Sequence, residues 1–168
     1  AMALESGADL VVELPPIFAS SSAEDFASCG VALLDALGVV THLCFGSESG
    51  NLEELSSAAD LLAAEPEEYQ QVLRQHLKDG YPFPQARAAA FSFCSPKTDP
   101  ELLSQPNNTL GIEYLKAIKK QNSSITPVTI KRMGSGYHET VISSDQPMAS
   151  ATAIRSVLES RTFDDFKE

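Results

Sequence analysis

Cysteine is scarce in these 168 residues: Cys29, Cys44 and Cys94 are odd in number and far apart. Each lies among apolar neighbours, which argues against a disulfide framework or a cysteine metal site and predicts buried free thiols. No stretch approaches the roughly 20 consecutive apolar residues that a bilayer span requires. The N-terminus also lacks the basic-then-apolar order of a secretory leader, so the expected setting is cytoplasmic, with no membrane partner. His76 stands beside Lys78 and Asp79 with no second ligand at metal spacing, which predicts a surface histidine and no metal site. Basic residues are few in the first part of the chain. Residues 1–107 hold 4 Lys+Arg against 16 Asp+Glu, a net −12, whereas residues 108–168 hold 8 against 7, a net +1, giving −11 in all. Such an acidic surface repels phosphate backbones, so the chain by itself is expected to bind nucleic acid poorly. Local basic residues are still available to hold a nucleotide.

What is present is a 43% hydrophobic chain, long enough for one globular core and too short for two. One stretch organises the rest, Thr41-His42-Leu43-Cys44-Phe45-Gly46-Ser47-Glu48-Ser49-Gly50-Asn51, where an apolar run breaks into small and acceptor-bearing residues. In open α/β sheets ligands collect beyond the carboxyl ends of parallel strands, where a glycine admits close approach to the backbone. Gly46 sits at that place. The alternative is a plain turn before Asn51 caps the next helix.

The preceding segment predicts the end of a helix closed by Gly7, then a β-branched strand over residues 8–14 that Pro15-Pro16 stops. Glu13 at that strand's end is either a ligand-facing carboxylate or a solvated acid. Ser20, Ser21 and Ser22 supply caps for a helix to Leu37, whose packed face is Phe26, Cys29, Gly30, Leu33, Leu34 and Leu37. A strand over 39–45 follows, and strand, helix, strand in this order predicts a right-handed parallel crossover. Asn51 and Pro66 start two helices, and after the 79–84 turn an alanine-rich helix resumes over 85–93. A short turn at 101–104 ends this helical insertion, about 51–104.

Next comes Gln105-Pro106-Asn107-Asn108-Thr109. Asn108 is expected to cap a helix over 109–120, leaving the Asn107 amide to read a base or ribose edge, unless both asparagines only shape the turn. A third strand over 127–131 runs into Arg132, well placed for a phosphate. Gly134 and Gly136 match no phosphate-loop signature, and His138 is either an assistant or solvated. Last, Ser150 or Thr152 caps a helix whose first turn presents hydroxyls, free N–H groups and Arg155. That suits an anion, or is simply a capped helix.

Taken together, Met2-Ala3-Leu4-Glu5-Ser6-Gly7-Ala8-Asp9-Leu10-Val11-Val12-Glu13-Leu14-Pro15, Phe45-Gly46-Ser47-Glu48, Pro106-Asn107-Asn108-Thr109-Leu110-Gly111-Ile112-Glu113-Tyr114 and Ser150-Ala151-Thr152-Ala153-Ile154-Arg155 carry a resemblance. From Ala1 to about Leu158 the chain resembles the tRNA(Met) cytidine acetate ligases, nucleotidyltransferase-like members of the HIGH superfamily. The resemblance implies an α/β fold, a partial Rossmann-like parallel sheet with a helical insertion, forming a single partial domain over 1–168. It implies an enzyme that activates acetate with ATP, with Mg2+, as acetyl-adenylate and passes the acetyl group to N4 of the wobble cytidine of elongator tRNA(Met). Carried over by position, Gly46, Asn107, Arg132 and Met133 resemble ATP-contacting residues. Ser150 and Arg155 resemble the superfamily's late serine-and-basic phosphate motif. The logic is consistent, since adenylate formation needs phosphate charge stabilised and two reactants oriented.

The family's opening strand and its His-x-Gly-His motif have no counterpart here, nor does its carboxyl-terminal region. An internal fragment is therefore expected, unable to form acetyl-adenylate alone. In the superfamily's strand order, 3-2-1-4-5, the absent strands would lie between the 10–14 strand and the other two. The 10–14 strand is then expected to move to a new partner, or exposed strands to pair between chains as a homo-oligomer. Two other readings stand beside this one. One is a different adenylyl-transferring enzyme on the same scaffold. The other is a non-catalytic acidic interaction module, marked by Asn107 and Arg132 buried in structural hydrogen bonds.

Overall fold

Helices carry most of the described residues, and local chemistry explains where they begin. The computed structural model describes residues 2–132. In order these are α1 (Met2–Glu5), α2 (Pro16–Ala19), α3 (Ala23–Ala36), β1 (His42–Ser47), α4 (Leu52–Ala64), α5 (Glu67–Lys78), α6 (Phe83–Cys94), a 3-10 turn (Pro100–Leu103), α7 (Pro106–Lys120) and β2 (Thr126–Lys131). Ala1–Ile130 form one compact unit and Lys131–Glu168 a second. Ser22 opens α3 by accepting from the Asp25 N–H, and Asn51 opens α4 by accepting from the Glu54 N–H. Both helices place acids in the first turn, where the helix dipole favours them. Proline occupies the start of α2, α6 and α7, where its missing N–H costs nothing.

β1 and β2 pair as a two-stranded sheet. The Thr126 N–H donates to the Thr41 carbonyl at 2.9 Å, and three residues on, the Thr129 hydroxyl donates to the Phe45 carbonyl at 3.3 Å. Both strands therefore advance together, the parallel arrangement, and the crossover between them is built from α4 to α7. This is the mixed α/β fold with a short parallel sheet that the resemblance implies.

The core lies where α7 meets α4, α6 and β1. Phe45, Leu55, Leu62, Phe91, Ile112 and Leu115 pack there, with alanines at 58, 59 and 90 keeping the helices close. Gly111 is required at the centre of this contact. A Cβ added to it would lie 2.6 Å from Cε2 of Phe45, inside any tolerable separation. The Phe45 ring in turn rests on Tyr114, centroids 5.7 Å apart. A smaller cluster, Val31 with Ala117 and Ile118, joins α3 to α7.

Several expectations are corrected. Residues 10–14 form no strand: Leu10, Val11 and Val12 are 65, 56 and 47% exposed and run without a ladder. Their β-branched content suits a strand, but a strand exists only beside a partner, and among the described residues only β1 and β2 pair. The crossover expected from that strand into β1 is therefore absent, and Glu13 is exposed. The α3 face is displaced as well. Ala27 and Val31 are its buried residues, Leu37 is exposed, and Phe26, Gly30, Leu33 and Leu34 line an open apolar groove with Leu43 and Tyr114. The cysteines are free but not buried. Burial alternates along β1, which leaves Cys44 exposed between half-buried Leu43 and buried Phe45, while Cys29 and Cys94 are half-buried. His76 is half-buried rather than on the surface, its Nδ1 2.9 Å from the Val72 carbonyl and its ring 5.4 Å from Tyr81.

Candidate functional site

β1 delivers its last residues alternately inward and outward: Phe45 and Ser47 are buried, Gly46 is exposed. The buried hydroxyls form a one-way chain. The Gly50 N–H donates to Ser47 Oγ at 3.0 Å, and Ser47 Oγ lies 2.7 Å from Thr129 Oγ1, whose own proton goes to the Phe45 carbonyl. Each hydroxyl has one proton, so Ser47 donates to Thr129. The loop reverses at Gly50, whose φ of 65° lies in the left-handed region that favours glycine.

Between those points stands Glu48. One carboxylate oxygen accepts from the Asn107 backbone N–H at 3.2 Å and from Asn107 Nδ2 at 2.5 Å. The other accepts from the Asn108 N–H at 2.7 Å. These N–H groups belong to the first turn of α7 and have no partner within the helix, and an anion there also complements the dipole. The attachment is reciprocal, because the Ser49 N–H donates to Asn108 Oδ1 at 3.0 Å. Asn108 Nδ2 then donates to Gln105 Oε1 at 2.9 Å. Among the described residues no buried side-chain polar atom lacks a partner.

Asn108 is thus not the helix cap. α7 begins at Pro106, whose fixed φ suits a first helical position, and this draws Asn108 into the first turn, where it is 1% exposed. Asn107 is half-buried at the second position of α7, and Glu48 brings it to the end of β1 that carries Gly46, two residues upstream. Arg132 is exposed, directly after β2, within the second unit. Met133, His138, Ser150, Thr152 and Arg155 lie outside the described residues. Glu48, Ser49 and Gln105 were not singled out by sequence reasoning. An acid two residues after a strand-ending glycine is a weak signal, because its partners are 59 and 60 positions away.

A second polar cluster went equally unforeseen. Glu113, 4% exposed on α7, meets Arg87 of α6 at 3.1 Å and Lys116 at 2.7 Å. It flanks a cleft of about 260 Å3 that Tyr69 and Thr109 also line. Burial pushes the Tyr69 phenol above its usual range, with Arg87 pulling the other way. The cluster's signal was a glutamate at 113, beside the buried Ile112. Among the described residues no group of three or more His, Cys, Asp or Glu could hold a metal ion. No helix among them is long and apolar enough to cross a membrane.

The chain has curated and crystallised relatives. The tRNA(Met) cytidine acetate ligase of Caldanaerobacter subterraneus is 47% identical over 161 residues, which are 95% of this chain and 40% of that protein. The ligase of the same name from Acetivibrio thermocellus is 43% identical over 169 residues, 98% of this chain and 40% of that protein. The chain therefore spans about 40% of the length of these curated relatives. Crystal structures of Thermotoga maritima TmcAL superpose with a TM-score of 0.86 for the apo form, at 39% identity over 98% of this chain and 40% of that one. For the form bound with alpha-thio ATP the TM-score is 0.78, at 40% identity over 94% of this chain and 37% of that one. The HIGH Nucleotidyl Transferase family matches residues 1–168, end to end, and the chain belongs to that family.

Proposed function

We propose that this chain is part of an ATP-dependent ligase that activates acetate as acetyl-adenylate and acetylates N4 of the wobble cytidine of elongator tRNA(Met). The observation that carries this reading is the joint between the Gly46–Gly50 loop and the first turn of α7, in a chain 47% identical to a tRNA(Met) cytidine acetate ligase and similar in fold to Thermotoga maritima TmcAL crystallised with alpha-thio ATP. Gly46 offers bare backbone to the nucleotide, and Asn107 offers its amide to the base or ribose. Arg132, with the Met133 backbone beside it, neutralises phosphate charge. Ser150 and Arg155 are assigned to the phosphates as well. Mg2+ arrives with ATP, on its phosphates, as part of the substrate. The activity belongs to a longer, cytoplasmic protein of which this chain is the nucleotide-binding part. The chain alone forms no acetyl-adenylate and, with a net charge of −11, binds tRNA weakly. Its exposed strand edges pair between chains as a homo-oligomer.

One observation favours the non-catalytic reading: Asn107 is half-buried and bonded to Glu48, as an interaction module would have it. The exposure of Arg132 speaks the other way. ATP–pyrophosphate exchange in the full-length protein decides among the readings. Exchange that depends on acetate is expected. Exchange that follows a different acid points to another adenylyl-transferring enzyme, and none at all to a binding module.

A further inference from the structure

We propose that Thr129 and Ser47 are positioning residues for nucleotide binding: their hydroxyls fix the Phe45–Gly46 peptide, and so the side on which Gly46 presents its backbone. The inference rests on the reading of Gly46 as a nucleotide contact. Its geometry begins with the register of the sheet. The Thr126 N–H donates to the Thr41 carbonyl, and in a parallel ladder every second residue of a strand turns its N–H and C=O toward the same neighbour. Residues 41, 43, 45 and 47 therefore face β2 with their backbone, and Gly46 faces away from it. The Thr129 hydroxyl, donating to the Phe45 carbonyl at 3.3 Å, agrees with that phase. A trans peptide is planar with its C=O and N–H opposed, so the bond that holds the Phe45 carbonyl on the β2 side holds the Gly46 N–H on the other. That N–H is a donor. Its match on a nucleotide is an acceptor: a phosphate or ribose oxygen, or a ring nitrogen of the base.

Ser47 extends the same control into the loop. It is 0% exposed, accepts from the Gly50 N–H at 3.0 Å and passes its own proton to Thr129 at 2.7 Å. The two hydroxyls thus connect three backbone points: the Phe45 carbonyl, the turn at Gly50 and the strand β2. Stability alone does not call for them, because a buried hydroxyl pair exchanged for apolar groups of the same shape is close to neutral. What only the hydroxyls supply is direction, at the residue where strand becomes loop.

The test is calorimetric titration of ATP into the full-length protein and its Thr129→Val, Thr129→Ser, Ser47→Ala and Thr129→Val/Ser47→Ala variants, each well below its melting temperature. Valine keeps the shape of threonine and loses both bonds. Thr129→Val is expected to weaken ATP binding about fivefold, whereas Thr129→Ser, which keeps the hydroxyl, stays within about twofold of the wild type. The two losses should not add, because both residues act through one chain of bonds, and the double variant should bind about as tightly as the weaker single variant. A pair that only stabilises the fold would lower the melting temperature and leave the affinity alone. That result overturns the proposal, as do fully additive losses or a serine that does not rescue. Should Thr129→Val not fold, Ser47→Ala decides alone: a severalfold loss of affinity supports the proposal and wild-type affinity overturns it. The contact reading is checked separately, on the wild type, by the Gly46 amide in NMR spectra. A shift on adding ATP supports it, and an amide that stays silent at saturating ATP overturns that reading and this proposal together.

Discussion

Replacing Gly111 by alanine sets two effects of opposite sign against each other. In an open helix position the change stabilises by about 1 kcal/mol through backbone entropy. Here the new Cβ would stand 2.6 Å from Cε2 and 3.2 Å from Cδ2 of Phe45, so the ring must move by about 1 Å to restore van der Waals contact. The ring is 8% exposed and rests on Tyr114, which leaves little room to yield. Overpacking of this kind costs about 1–3 kcal/mol, so the expected net loss after the entropic gain is up to about 2 kcal/mol, or up to roughly 8 °C of melting temperature at this size. Thermal unfolding followed by circular dichroism measures it. Phe45→Leu in the Gly111→Ala background should recover part of the loss by making space. Because Phe45 directly precedes Gly46, the single variant should also weaken ATP binding. A Gly111→Ala protein that melts higher than the wild type would refute the packing argument.

Three further outcomes follow from the same structure. Arg87→Met leaves Glu113 buried with one cation in place of two and should cost about 1–3 kcal/mol in urea unfolding; a change under about 0.5 kcal/mol would mean solvent already screens the pair. Burial raises both Tyr69 and Tyr114, so their neutral phenols stabilise the fold fully below about pH 10 and that contribution is lost as pH rises through their folded values. Absorbance at alkaline pH should show at least two tyrosines ionising late and together with unfolding, and all four titrating early in a folded chain would contradict this. Cys44 should react with a thiol reagent faster than Cys94, which is half-buried and whose thiol is pushed up by burial; the reverse order would place β1 the other way round.

The helices were legible because their determinants are local. Ser22 and Asn51 each accept from an N–H three residues on, and the apolar spacing of Leu55, Ala58, Ala59 and Leu62 matches the buried face of α4. Residues 10–14 misled for the opposite reason, since propensity is local and a ladder partner is not. Asn108 was misassigned because Pro106 and Asn108 are both adequate helix starts, and only the contact with Ser49 decides between them. Gly46 and Asn107 could be named from the sequence, but the residue that joins them could not. Nothing in a linear reading links Glu48 to a position 59 residues away.

The most direct test follows the backbone amides of Gly46, Glu48 and Asn107 by NMR as ATP is added to the full-length protein. The account predicts that these three shift together at the lowest nucleotide concentrations and before any residue of the Arg87–Glu113 cleft. Shifts that begin around Arg87, Glu113 and Lys116 while the strand-end loop stays silent would contradict it.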